Sequence, residues 1–270
     1  MLIYTSLYVQ AGAMSYNVSI LYMCFSQNAS LGMAILGAIS TIPIYKYINF
    51  KAAFCAFYFT LMQVIHYYGY TVIDDCNNET NKLMSILNFY HIAFQAPVFL
   101  FGWLGVFEKF NVVSPLHLKF MPIIIIMALI TSVLIALRRF EWRYFTIGEK
   151  NKNSSTKIIE KSKLNDKTDG TLQGKLCSRS GKHHITFRLP LRNQPEYYTP
   201  NLYGHFLFFF IPLLLFNNTT RIISLFTFVF GIVIPTLYLQ LESSEVATVW
   251  CFLSIIQIII MYGYFILNKS

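Results

Sequence analysis

The constraint that dominates this chain is a series of long apolar stretches almost free of charge. A helix needs about 20 predominantly apolar residues to cross a bilayer. Seven stretches of that kind run at roughly 29–47, 51–73, 83–107, 121–138, 201–216, 222–240 and 245–267. They are too long and too poor in charge for a soluble core. Only 12% of the 270 residues are charged, against about a quarter in soluble proteins. The expected fold is all-α, a polytopic membrane bundle of about seven transmembrane helices with one long basic loop.

The chain divides accordingly. Residues 1–28 read as an N-terminal tail or interfacial segment, 29–138 as helices one to four, 139–200 as an extramembrane loop and 201–270 as helices five to seven. The tail has no Lys or Arg before its apolar part, so it does not read as a cleavable signal. The fifth stretch is short and holds Pro212, which marks it as a kinked or partial span. Gly32, Gly37 and Ser40 on the first stretch offer a neighbouring helix a close approach.

Charge sets the expected orientation. Residues 138–199 carry 14 of the 21 Lys and Arg residues and 6 of the 12 Asp and Glu residues. Loops of about 60 residues translocate with little regard to charge, so the short loops decide. The joints near 48–50, 108–120 and 217–221 collect Lys46, Lys51, Lys109, Lys119 and Arg221. The other face has Asp74, Asp75, Glu79, Glu242 and Glu245 against Lys82. That places the N-terminus outside or in a lumen and the C-terminus in the cytoplasm, although Arg138, Arg139 and Arg143 argue the reverse. The basic loop suits anionic lipid headgroups, and no zinc finger or helix-turn-helix accompanies it, so nucleic acid is set aside.

Within the loop, residues 148–182 are too polar to order themselves. Residues 184–191 alternate, with Ile185, Phe187, Leu189 and Leu191 on one side, and suit a strand lying across the bundle mouth as a lid. Cys76 and Cys177 lie in loops on one face and can form a disulfide if that face is oxidising. Asn78-Glu79-Thr80 on the same face is a glycosylation sequon.

The spans hold no Asp, Glu, Lys or Arg at depth, which argues against pumps, voltage sensors and proton-coupled carriers. A retinal pigment would need a mid-helix Lys, and Lys269 stands at the tail of the last span. What remains is neutral polarity on the second and third spans. Gln63, His66 and Tyr70 fall near one face, and Ser85, Asn88, His91 and Gln95 form a second stripe. Counting 1.5 Å per residue from the connecting loop puts His66 level with His91 at about 10–12 Å, and Gln63 level with Gln95 at about 15–18 Å. Such groups either hydrogen-bond one another as interhelical glue or line a pocket for a small-molecule or lipid ligand. No cofactor is expected. The rival is a zinc site from His66, His91 and His205, since catalytic zinc takes three protein ligands and a water. It would make the chain an intramembrane hydrolase of the seven-helix ceramidase-like type. The last span, however, reads Ser244 to Phe252 without the His-x-x-x-His pair of that type. A facilitative carrier is the third reading.

Seven spans with the N-terminus outside resemble a G-protein-coupled receptor in topology alone, since Phe107-Glu108-Lys109 stands where Asp-Arg-Tyr would be. A closer likeness lies in Cys24-Phe25-Ser26, Leu61-Met62-Gln63, Asp75-Cys76, Asn81-Lys82, Gln95 near Pro97, and Trp250-Cys251-Phe252. These resemble an uncharacterised family of multi-pass membrane proteins encoded mainly by large DNA viruses. The resemblance implies architecture and no mechanism. It also departs from the family at His66, where relatives carry an acidic residue. The expected function is a non-enzymatic membrane protein, receptor-like, transport-accessory or structural, with a small polar cavity between the second and third spans.

Overall fold

A computed structural model describes residues 26–138, 176–181, 184–188, 202–239 and 243–269. Seven helical segments occupy the seven predicted stretches among these residues. They are α1 (Gln27–Tyr47), α2 (Phe50–Thr71), α3 (Glu79–Phe110), α4 (Pro115–Arg138), α5 (Leu202–Phe216), α6 (Asn218–Leu239) and α7 (Ser243–Lys269). Five of them, α1, α3, α4, α6 and α7, are long and apolar enough to cross a membrane. In α2 the run is diluted by Thr60, Gln63 and His66. At 15 residues α5 spans about 22 Å.

Short polar residues punctuate the chain. Ser26, Asn49, Asn78 and Asn217 each accept a backbone N–H at a helix start, which satisfies donors that the helix itself leaves open. Asn111, with a φ of 50°, ends α3 in the left-handed region that Asn tolerates. Two of these caps also tie helices together: the Asn49 amide donates to the Gly105 carbonyl, and the Asn217 amide to the Val112 carbonyl. In α6 the backbone widens into a π turn at Val229–Val233 just before Pro235. Proline lacks the N–H and its ring crowds the carbonyl one turn back, and an inserted residue relieves both.

Glycines set the closest approaches. A Cβ at Gly37 would run into Thr60, one at Gly102 into Cys55 and Tyr262, and one at Gly231 into the Trp250 ring. Gly32, predicted to do the same, meets nothing within 4 Å. Phe59, Phe99, Trp103, Phe107, Phe209 and Trp250, at most 2% exposed, fill the middle of the bundle.

Two strands, β1 (Cys177–Ser180) and β2 (Ile185–Arg188), pair antiparallel with Ser178 opposite Phe187 and Ser180 opposite Ile185. β1 lies at the end of the 148–182 stretch, which was expected to be largely without order, and the stretch before residue 176 lies outside the described residues. A disulfide joins Cys177 to Cys76, and the Asn81 side chain grips the Ser178 main chain from both sides. Its oxygen accepts from the Ser178 N–H at 2.7 Å and its amide donates to the Ser178 carbonyl at 2.9 Å. The predicted one-sided alternation is also modified, because His184, Ile185 and Thr186 are all buried. The rest of the basic loop, the N-terminal tail and Cys24 lie outside the described residues.

Candidate functional site

The hairpin roofs the seam between α2, α3 and α7. Ser85 on α3 and Ser178 on β1 hydrogen-bond through their hydroxyls at 2.7 Å. Asp74 holds the hairpin edge, accepting from the Ser180 N–H at 2.9 Å and from the Ser180 hydroxyl at 2.6 Å. Ile185, fully buried, rests on Gly69 of α2. These contacts form one layer of main-chain clamps and apolar docking around the disulfide.

Beneath this layer His184 points inward from the start of β2. The Ile185 N–H donates to His184 Nδ1 at 2.7 Å, so Nδ1 is an acceptor and the neutral ring carries its proton on Nε2. Tyr70 therefore donates its hydroxyl to the same nitrogen, also at 2.7 Å. Burial pushes the His184 pKa down to about 3, which keeps the ring neutral. Its ring stacks near Tyr70, meets Phe252 edge-on, and stands 5.0 Å from the His66 ring at a steep angle.

The next layer is the distinctive one. Gln63, His66 and Asn88 are each 0% exposed. Both polar atoms of all three side chains, six in total, lack a partner in good hydrogen-bond geometry, with the Asn88 side chain standing beside the His66 ring. Among the described residues no others contribute two such atoms each. Asn88 shares the α3 face with Ser85 and His91. It lies between the mouth, where Gly69 faces Met84, and the deeper level where Tyr58 meets His91. Its neighbours across the seam are therefore in the Gln63–His66 turn of α2.

Below that, His91, Tyr58 and Gln95 partner one another. His91 stacks on Tyr58 at 4.1 Å and donates Nε2–H to the Tyr58 carbonyl at 2.6 Å. The Tyr58 hydroxyl donates to the His91 carbonyl at 2.8 Å. Gln95 donates to the remaining His91 nitrogen and to the Cys251 sulfur. Phe59, Phe99 and Trp103 then close the seam as an aromatic floor.

The predicted stripe is thus split in two. His66 and His91 do not face each other, because His91 meets α2 at Tyr58, eight residues or about 12 Å from His66. The connection between the helices is tighter than the counted loop, since the Asn81 amide reaches the Val72 carbonyl at 2.7 Å. That shifts the register. His66 instead has His184 beside it. His205 lies on α5, and its side chain is outside those described. Among the described residues no three of His, Cys, Asp and Glu converge as metal ligands.

His184, Tyr58 and the clamp by Asn81 were not identified from the sequence as site elements. The only signal for His184 is its position at the head of the alternating stretch.

A family of unknown function (DUF5765) matches residues 28–269. No curated protein and no solved structure matches the chain.

Proposed function

The chain belongs to this family of unknown function, and within it we propose a multi-pass membrane protein that holds a small ligand at a roofed polar layer between its helices. One observation carries the reading: six buried hydrogen-bonding atoms of Gln63, His66 and Asn88 with no partner in good hydrogen-bond geometry. Buried polar groups in native proteins are satisfied by protein, ordered water or ligand. None of the three is held in the close geometry that joins His91, Tyr58 and Gln95 one layer down. This polar layer is the place where a small molecule would be held once the helices part, in keeping with a receptor-like or accessory role.

Membrane insertion is supported by an inverted distribution of polarity. Ile42, Leu237 and Leu267 are 71%, 73% and 83% exposed, while Gln63 and Asn88 are fully buried. A soluble monomer rarely exposes such contiguous apolar surface. The hairpin face is external or luminal in this reading, since a disulfide between Cys76 and Cys177 belongs to an oxidising compartment. Asn78, which caps α3 on that face, is the proposed glycan site. The opposite end, with Lys46, Lys109, Lys119 and Arg221, is cytoplasmic. The aromatic floor favours binding over passage through the bundle. No catalytic step is assigned.

Native mass spectrometry of protein extracted in mild detergent tests the proposal. A bound mass present in the wild type and lost in Asn88→Leu is expected. An identical spectrum for the two, with no adduct on either, would overturn it.

A further inference from the structure

The hairpin hangs from one strand. Cys177 of β1 is bonded to Cys76, and the Ser178 main chain is gripped by Asn81. The Ser178 carbonyl also accepts from the Asp74 N–H at 3.1 Å. The Ser178 hydroxyl meets Ser85, and Ser180 meets Asp74. β2 is attached differently. Among the described residues it pairs with β1 and reaches the bundle through side chains, Ile185 resting on Gly69 and His184 on Tyr70, His66 and Phe252.

The fastening point of β2 is one nitrogen. His184 Nδ1 accepts the Ile185 N–H and the Tyr70 hydroxyl, both at 2.7 Å. A second proton on the ring would sit on this nitrogen and turn it from acceptor to donor. A tyrosine hydroxyl can turn round and accept, but a main-chain N–H cannot. Two donors would then face each other at 2.7 Å, both unsatisfied. The docked arrangement is therefore built for a neutral ring. Burial acts in the same direction, pushing the His184 pKa down to about 3. The titratable groups against the ring are His66 and Tyr70 of α2, while α7 contributes Phe252. α3 meets the hairpin through Asn81 and Ser85. The charges described around the mouth are Asp74 on Ser180, Asp75 on the Asn77 N–H, the Glu79–Lys82 pair, and Arg179 of β1 opposite Thr186.

We propose that β2 is an acid-released flap: a proton taken up by His184 breaks its fastening to Ile185, and β2 leaves the seam while the disulfide and the Asn81 clamp keep β1 in place. The seam above His66 then opens to solvent. The release needs no ligand, so it stands apart from the binding reading. Its sign follows from linkage. In the open state the ring returns to its ordinary value of 6.5, against about 3 when docked. Between those values the open state binds a proton that the docked state does not, so falling pH favours opening. From pH 7.5 to 5 this multiplies the open population by about thirty.

Hydrogen–deuterium exchange of the full-length, disulfide-intact protein in an uncharged detergent tests the flap, read amide by amide and corrected for the intrinsic rate at each pH. Protection of the Ile185 and Thr186 amides falls about thirtyfold between pH 7.5 and 5. The Ser178 amide, bound to Asn81, keeps its protection. In His184→Phe, which cannot take up the proton, the fall disappears, with His184→Gln as a second variant should the first not fold. Protection at Ile185 and Thr186 that is the same at both pH values overturns the inference. A fall that persists in the His184 variants overturns it too, since the proton then acts elsewhere. Parallel loss at Ser178 does the same, because the hairpin would be leaving as one piece.

Discussion

Asn88 and His91 sit three residues apart on one face of α3 and do different work. His91 is locked between a carbonyl, a stacked tyrosine ring and a glutamine, so it holds α2 to α3. Asn88 has none of these partners. His91→Ala should therefore lower stability by about 2–4 kcal/mol, because it removes a stack and takes the side-chain donor from the Tyr58 carbonyl. Denaturation of the purified variant measures this. A neutral result would mean that the Tyr58–His91 pair contributes nothing to holding the helices. The stripe containing both residues was legible from their spacing of three and four. Which member is clamped and which is open was not, since that depends on the register between two helices and a tight turn at Val72 shifts it by more than one turn.

At the scale of elements the hairpin is the informative piece. Its disulfide bridges a sequence separation of 101 residues, and closing a loop of that size limits the unfolded chain by about 4–5 kcal/mol. Cys177→Ser should accordingly lower the melting temperature and make Cys76, half-buried in the native state, reactive toward thiol reagents. An unchanged melting temperature would show that the Asn81 and Asp74 clamps suffice alone. The hairpin also carries a pH dependence. The His184 ring faces Tyr70, His66 and Phe252, with no charged group among these contacts. Its pKa is about 3 when folded against an ordinary 6.5. Between those values the unfolded chain binds a proton that the folded chain does not, so stability contributed above pH 6.5 is lost as pH falls toward 3. His184→Phe should flatten the slope of melting temperature against pH over that window, and an unaltered slope would contradict the assignment. The π turn of α6 makes a different demand. Gly231→Ala should destabilise by about 1–3 kcal/mol or more, because its methyl meets the Trp250 ring. The hairpin itself was only half legible. The alternating Ile185–Leu191 stretch marked a strand, but its partner lay in a polar run whose order comes from a disulfide and an asparagine clamp, and composition does not report either.

The whole molecule is built with its polarity inward, a pattern that hydropathy makes plain and that explains why the helix count followed from apolar runs alone. Helix boundaries were less readable: the stretch at 83–107 is the middle of Glu79–Phe110, whose start is set by the Asn78 cap and whose end by Asn111, and hydropathy reports neither. The protein should resist alkaline carbonate extraction, and after reduction Cys76 should react with a membrane-impermeant maleimide added from outside or from the lumen. Labelling only after the cytoplasmic side is opened would reverse the orientation. The central claim is narrower than either result: Gln63, His66 and Asn88 are kept polar for something other than holding the bundle together. The most direct measurement is the stability of the purified, ligand-free protein carrying Asn88→Leu or Gln63→Met, which keep the shape and remove the unpartnered amide. Relief of each buried group's desolvation predicts a rise of about 1–3 kcal/mol, and a fall of similar size would show that these side chains are interhelical glue.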